Sequence, residues 1–214
     1  MTSFNISEWI IRIPVLLFAI TIHEYSHGRA AYFLGDPTAK NAGRLSINPI
    51  IHIDPIGAIC LFLFNFGWAK PVPVDIRYFK NTRRDVILMA LSGPMSNLGA
   101  AFIAGLFMRH LLLPSEIYLK VLVYMVLMNT GLGLFNLIPI PPLDGSHVLE
   151  NILPHRASVG YRAMRRYAPY ILIGIFLLDH FLKIGILSKI LGYPIFSIAH
   201  LFGGDNLFRL LRLM

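Results

Sequence analysis

The sequence predicts an all-α polytopic membrane protein: a three-helix core plus about one further span, with a re-entrant loop carrying short β-strands. Composition is the first observation behind this. Of 214 residues, 56% are hydrophobic and only 14% charged, and the mean hydropathy is +0.63. A soluble surface needs more charge than that to be solvated. The second observation is the length of the apolar runs, several of which reach the ~20 residues that a spanning helix needs. The third is what lies between them: Gly, Pro, Asn and Asp recur through residues 36–84, where a regular helix cannot persist.

The first helix is expected to begin near residue 6 and to run to Leu34, where Gly35-Asp36-Pro37 stops it. It exceeds the ~20 residues of a span, so tilt or protrusion follows. Gly43–Asn48 and Lys70–Asp75 suit short extended strands. Between them, the apolar run Ile56–Trp68 has 13 residues, too few for a comfortable crossing and typical of a re-entrant segment. A second span covers Asp85 to about Met108. Its Ser92-Gly93-Pro94-Met95-Ser96-Asn97 stretch combines small residues for close helix approach with an amide that can bond across helices. The third span, Tyr118 to Ile138, carries Asn129 and Asn136 on nearly one face and ends in Pro139-Ile-Pro-Pro-Leu-Asp-Gly145. A fourth covers about Tyr167 to Leu191, and 193–214 is a short amphipathic tail. The chain is expected to form one membrane-embedded unit, with a core over about 6–150 and the C-terminal span and tail over about 160–214.

His23-Glu24-Tyr25-Ser26-His27 lies inside the first apolar helix. The i, i+4 spacing puts two imidazoles on one helix face with a carboxylate beside them, the pattern of a zinc site. Zinc held by two histidines needs another protein ligand and keeps one position for water. Asp144 is the best candidate: prolines stop the third span just before it, and Gly145 permits a tight turn. A turn-capping role for Asp144 is the plainer alternative. For Asp144 to meet the histidines, spans one and three must run parallel, so 56–68 must not cross. Charge supports that arrangement. Twelve basic residues fall within 29–84 and 156–166, against three (Arg12, Arg109, Lys120) on the opposite side. By the positive-inside tendency the motif faces the cytoplasm and the N-terminus lies outside. The net charge of +8 is thereby assigned to lipid headgroups, so the bilayer is an expected partner and nucleic acid is not. The single Cys60 excludes an internal disulfide.

At these residues the chain resembles the site-2 protease family of intramembrane zinc metalloproteases. The resemblance rests on His23-Glu-Tyr-Ser-His27, Ser92-Gly-Pro-Met-Ser-Asn97 and Asn136-Leu-Ile-Pro-Ile-Pro-Pro-Leu-Asp-Gly145, and on Gly43 to Gly57, which is similar to a compact prokaryotic branch. It covers roughly residues 10–150. It implies one Zn2+ per chain on His23, His27 and Asp144, with Glu24 as catalytic base. It also implies transmembrane protein substrates, such as membrane-tethered anti-sigma factors or remnant peptides, in a prokaryotic cell membrane. The PDZ or CBS domains of some relatives are not expected within these residues. The family's Asn-Pro-Asp-Gly is Pro-Leu-Asp-Gly here, which keeps the ligand and moves the Asn role to Asn136 or Asn129. Asn129, Asn136 and His52 are candidate oxyanion donors. With Asn97 they make up the candidate substrate-binding set, although interhelical packing explains the asparagines equally well. The rival readings are a metal-binding membrane transporter and a proteolytically inactive scaffold. A transporter tends to show paired repeats, which are not found, and an inactive homologue would be expected to have lost Glu24.

Overall fold

A computed structural model of the chain describes residues 6–64, 67–110, 115–183 and 185–212. Uninterrupted apolar runs become long helices: α1 (Ile6–Phe33), α4 (Thr82–His110) and α5 (Glu116–Asn136) are each long and apolar enough to cross a membrane. Between the first two lie the short α2 (Thr38–Asn41) and α3 (Pro55–Phe64). After α5 come α6 (Asp144–Ile152), α7 (His155–Met164), α8 (Ala168–Leu182), α9 (Ile186–Gly203) and α10 (Asp205–Leu211).

α4 is the hub, with α1, α5, α6 and α9 packed on it. Half of its ten buried positions are alanine or glycine: Ala90, Gly93, Ala101, Ala104 and Gly105. In a lipid environment helices gain little by hiding apolar surface from tails as apolar as themselves, so close van der Waals approach has to hold them. A Cβ on Gly105 would stand 2.6 Å from the Phe202 carbonyl carbon, and one on Gly133 of α5 would stand 3.1 Å from the Pro94 carbonyl oxygen. At the end of α4 farther from the motif, Met108, Leu122, Val123, Val126, Ala199 and Leu207 close one apolar core. Arg109 donates to the Leu201 and Phe202 carbonyls there, tying the end of α9 to the end of α4.

The expected β-strands are absent among the described residues, where the only pairing is an isolated antiparallel bridge between Ile53 and Ala69. The backbone of 70–75 has other partners. The Lys70 carbonyl accepts from Arg44, the Val72 N–H donates to Glu24 and the Asp75 N–H to Asp36. Pro71 and Pro73 have no N–H to offer a ladder.

The 56–68 run is also different in kind from a strand-bearing loop. Its ten-residue helix, α3, is only about 15 Å long at 1.5 Å per residue. The chain then returns to its start: a Cβ on Gly57 would lie 2.1 Å from the Trp68 carbonyl oxygen. The run therefore begins and ends in one place. Arg12 near the start of α1 lies over the Tyr124 ring near the start of α5, and Asp144 beyond the end of α5 meets His23 and His27 farther along α1, so the two helices run in the same direction.

The helix expected over 167–191 is two helices. Lys183 (φ 52°) and Gly185 (φ 70°) both adopt left-handed backbone, ending α8 and starting α9. The element packed along α4 and α5 is α9, which passes Gly131 at Ile195 and Gly105 at Phe202.

Gly105→Ala should overpack the α4–α9 contact and destabilise the protein by about 1–3 kcal/mol. The check is the thermal unfolding midpoint in detergent, and an unchanged midpoint would mean that α9 can move away at no cost.

Candidate metal centre

The i, i+4 spacing of His23 and His27 stacks their rings edge to face, with centroids 4.6 Å apart. Both residues are buried. Asp144 reaches them from the first position of α6, beyond the end of α5. Its Oδ2 lies 3.1 Å from His23 Nε2 and 3.2 Å from His27 Nε2, and the two nitrogens are 3.0 Å apart. The parallel return of α5 thus unites the three residues that the sequence proposed.

The far side of each ring explains what the near side is for. His27 Nδ1 lies 2.8 Å from the Met89 carbonyl oxygen, which can only accept, so Nδ1 carries the proton. His23 Nδ1 lies 2.7 Å from Asn97 Oδ1. The orientation of that amide follows from its other contacts: Asn97 Nδ2 donates to the Ala19 carbonyl at 2.9 Å and to Asn129 Oδ1 at 3.0 Å. Asn97 Oδ1 is therefore an acceptor, and His23 Nδ1 also carries its proton. In neutral rings both Nε2 atoms then present lone pairs. Two lone pairs and a carboxylate oxygen converge on one point, and such a group calls for a cation. Tetrahedral zinc with bonds of about 2.0–2.1 Å sets its ligands roughly 3.3 Å apart, close to the observed spacing. The donor set of two imidazoles and one carboxylate suits zinc as well.

Two glycines make this meeting possible. A Cβ on Gly93 would fall 2.3 Å from His27 Nε2 and 2.8 Å from His23 Cε1, within the space the rings occupy. In the sequence Gly93 read only as a small residue for helix approach. A Cβ on Gly145 would fall 2.2 Å from the Leu137 carbonyl oxygen, so the turn that delivers Asp144 closes only over glycine. α6 is held from several directions. Tyr161 Oη donates to the Pro139 carbonyl at 2.8 Å, Arg83 donates to the Leu153 carbonyl at 2.8 Å, and Glu150 accepts from Arg162 and Arg165 of the α7 segment.

Glu24 sits one residue from His23, and its Oε2 accepts the Val72 N–H at 2.9 Å. Nothing in the sequence marked Val72, because a backbone donor leaves no residue signature. The other candidates are placed differently. Asn97 and Asn129 form a relay behind His23, and Asn129 donates on to the Met125 carbonyl. Asn136 donates to the Leu132 carbonyl of its own helix. His52 is fully buried and its Nε2 bonds the Ser46 carbonyl, which ties it to the short turn Pro49–His52 before α3.

Comparisons with known proteins bear on this geometry. The profile of Peptidase family M50 matches residues 113–178, which include Asp144. Three bacterial relatives carry the name "Putative zinc metalloprotease". YwhC of Bacillus subtilis is 41% identical over 150 residues, covering 65% of this chain and 67% of the relative. Rip2 of Mycolicibacterium smegmatis is 26% identical over 74% of this chain and 62% of its own length. Rip2 of Mycobacterium tuberculosis is 30% identical over 75% of this chain and 64% of its own length. The matched region thus spans less than two thirds of either Rip2 protein. No solved structure matches the chain. The metal implied for the three-donor site is zinc.

Two variants test the support around the site, with zinc content of the purified protein as the measurement. Gly93→Ala should drive the imidazoles apart and lower zinc affinity at least tenfold, by analogy with outer-shell losses of about 10–100-fold. Asn97→Ala should fall in that same range, because His23 loses the acceptor that fixes its tautomer. Full zinc occupancy in both would refute the account of the ring orientations.

Proposed function

We propose that this chain, which belongs to peptidase family M50, is a membrane zinc endopeptidase that hydrolyses peptide bonds within or next to transmembrane segments of other membrane proteins. The observation that carries the reading is the convergence of His23 Nε2 and His27 Nε2, on a helix of membrane-crossing length that also carries Glu24, with an Asp144 carboxylate oxygen from the start of α6. In this reading His23, His27 and Asp144 hold one zinc ion and Glu24 is the general base.

Zinc held there supplies Lewis acidity, making a water easier to deprotonate and the scissile carbonyl easier to attack. Glu24 takes the water proton as the oxygen adds to the carbonyl carbon, then delivers it to the leaving amine. The Val72 N–H orients the Glu24 carboxylate while it waits. Asn97 and the Met89 carbonyl keep the two imidazoles in the tautomer that directs Nε2 inward. Residues buried beside apolar helices keep bulk water from the site, which strengthens each of these interactions. A transmembrane substrate hides its peptide bonds in helical hydrogen bonds and has to unwind locally before the reaction. The twelve-to-three distribution of basic residues supports a site on the cytoplasmic side of the membrane and an N-terminus outside.

The test uses the purified chain in detergent with a panel of single-span substrates. Glu24→Gln should retain zinc and cleave about 10²–10⁴-fold more slowly, the range of a lost general base. Equal product from wild type and Glu24→Gln would sink the reading. Asp144→Ala should lose both zinc and cleavage, and full zinc with intact activity would remove Asp144 from the site.

A further inference from the structure

The oxyanion that forms on the scissile carbonyl needs a hydrogen-bond donor besides the metal, and the candidates read from the sequence are largely engaged elsewhere. Asn97 gives both amide hydrogens to Ala19 and Asn129. Asn129 donates to Met125, His52 Nε2 bonds the Ser46 carbonyl, and Asn136 donates to Leu132.

His147 is placed differently. It stands three residues after Asp144 on α6, so the two occupy one helix face a turn apart. Side chains on a helix lean toward its N-terminus, which carries the His147 ring back over the turn that holds Asp144. The imidazole lies within electrostatic reach of Arg165, Asp144, Glu150 and His27. It is half-buried, and among the described residues no group is hydrogen-bonded to its ring. Burial, with Arg165 nearby, pushes its pKa down, which favours a neutral ring with one N–H to donate and one lone pair.

Building on the peptidase reading, we propose that His147 is a further catalytic residue whose ring N–H donates to the carbonyl oxygen of the scissile bond as that oxygen becomes an anion. In that step the water oxygen bonds to the carbonyl carbon, the π pair moves onto the carbonyl oxygen and the water proton goes to Glu24. On collapse the pair returns, the C–N bond breaks and the proton passes from Glu24 to the amine. His147 donates its hydrogen bond throughout without giving up its proton.

The experiment uses the full chain in detergent, loaded with zinc, with a single-span substrate and a phosphonate peptide that carries a tetrahedral anion in place of the scissile carbonyl. His147→Leu should keep its zinc and its KM within about twofold while kcat falls roughly 10²–10³-fold, the loss expected for one oxyanion donor. Phosphonate affinity should fall by a similar factor. His147→Gln keeps an N–H donor and should recover at least tenfold of both losses. Unchanged kcat in His147→Leu would overturn the proposal, as would equal losses in Leu and Gln. A kcat loss in Asn136→Ala but not in His147→Leu would assign the donor to Asn136 instead. If wild type cleaves no substrate, the peptidase reading fails on its own. The phosphonate affinities of the Leu and Gln variants still decide the role of His147.

Discussion

Two imidazole nitrogens and a carboxylate oxygen held 3.0–3.2 Å apart, all presenting lone pairs, repel one another unless a cation lies among them. Folding brings them together all the same, and much of the architecture is explained by the need to do so. α1 supplies two donors by helical periodicity alone. α4 leaves room for the rings by having hydrogen in place of a side chain at Gly93. α6 delivers the third donor from its first residue, across a turn that only Gly145 allows. Without a cation this arrangement has a standing electrostatic cost, so metal binding and the local fold should be coupled.

A polar site among apolar helices also has to satisfy every group it buries. Here the solution is a line of amides across three helices, from His23 through Asn97 to Asn129 and on to the Met125 carbonyl. In an apolar surrounding each of these bonds has little competition from water, so the line orients His23 firmly and joins α1, α4 and α5 at one depth. The backbone contributes equally on the other ring, where the Met89 carbonyl orients His27 and receives the Ser92 hydroxyl as well. The metal centre and the three-helix packing are thus held by the same interactions.

The connection between α1 and α4 has its own logic. Asp36 is buried in the loop and accepts the backbone N–H groups of Thr38 and Asp75, pinning two distant parts of the connection together. The extended 70–75 stretch between that pin and the Arg44 contact passes over the end of α1 and brings the Val72 N–H to Glu24. Val72 also packs against Gly28, where a Cβ would stand 3.1 Å from its Cγ1. A loop that looks irregular in sequence is therefore fixed at several points, and one of them touches the Glu24 carboxylate.

The sequence by itself determined the membrane character, the three long helices and the pairing of His23 with His27. Each of these depends on local composition, run length or helical period. Asp144 was legible one step further, since a span count and a charge asymmetry required α1 and α5 to be parallel. Strands at 43–48 and 70–75 were misread because extended dihedrals do not say what the backbone bonds to, and there side chains replaced a partner strand. The helix at 167–191 was misread because hydropathy does not register the left-handed residues Lys183 and Gly185 that divide it. Only the tertiary structure decided that Gly93 makes room for the rings, that Asn97 orients one of them and that a backbone N–H holds Glu24. Those are contacts between residues 48 to 74 positions apart, and a contact at that separation is a property of packing that no local pattern encodes.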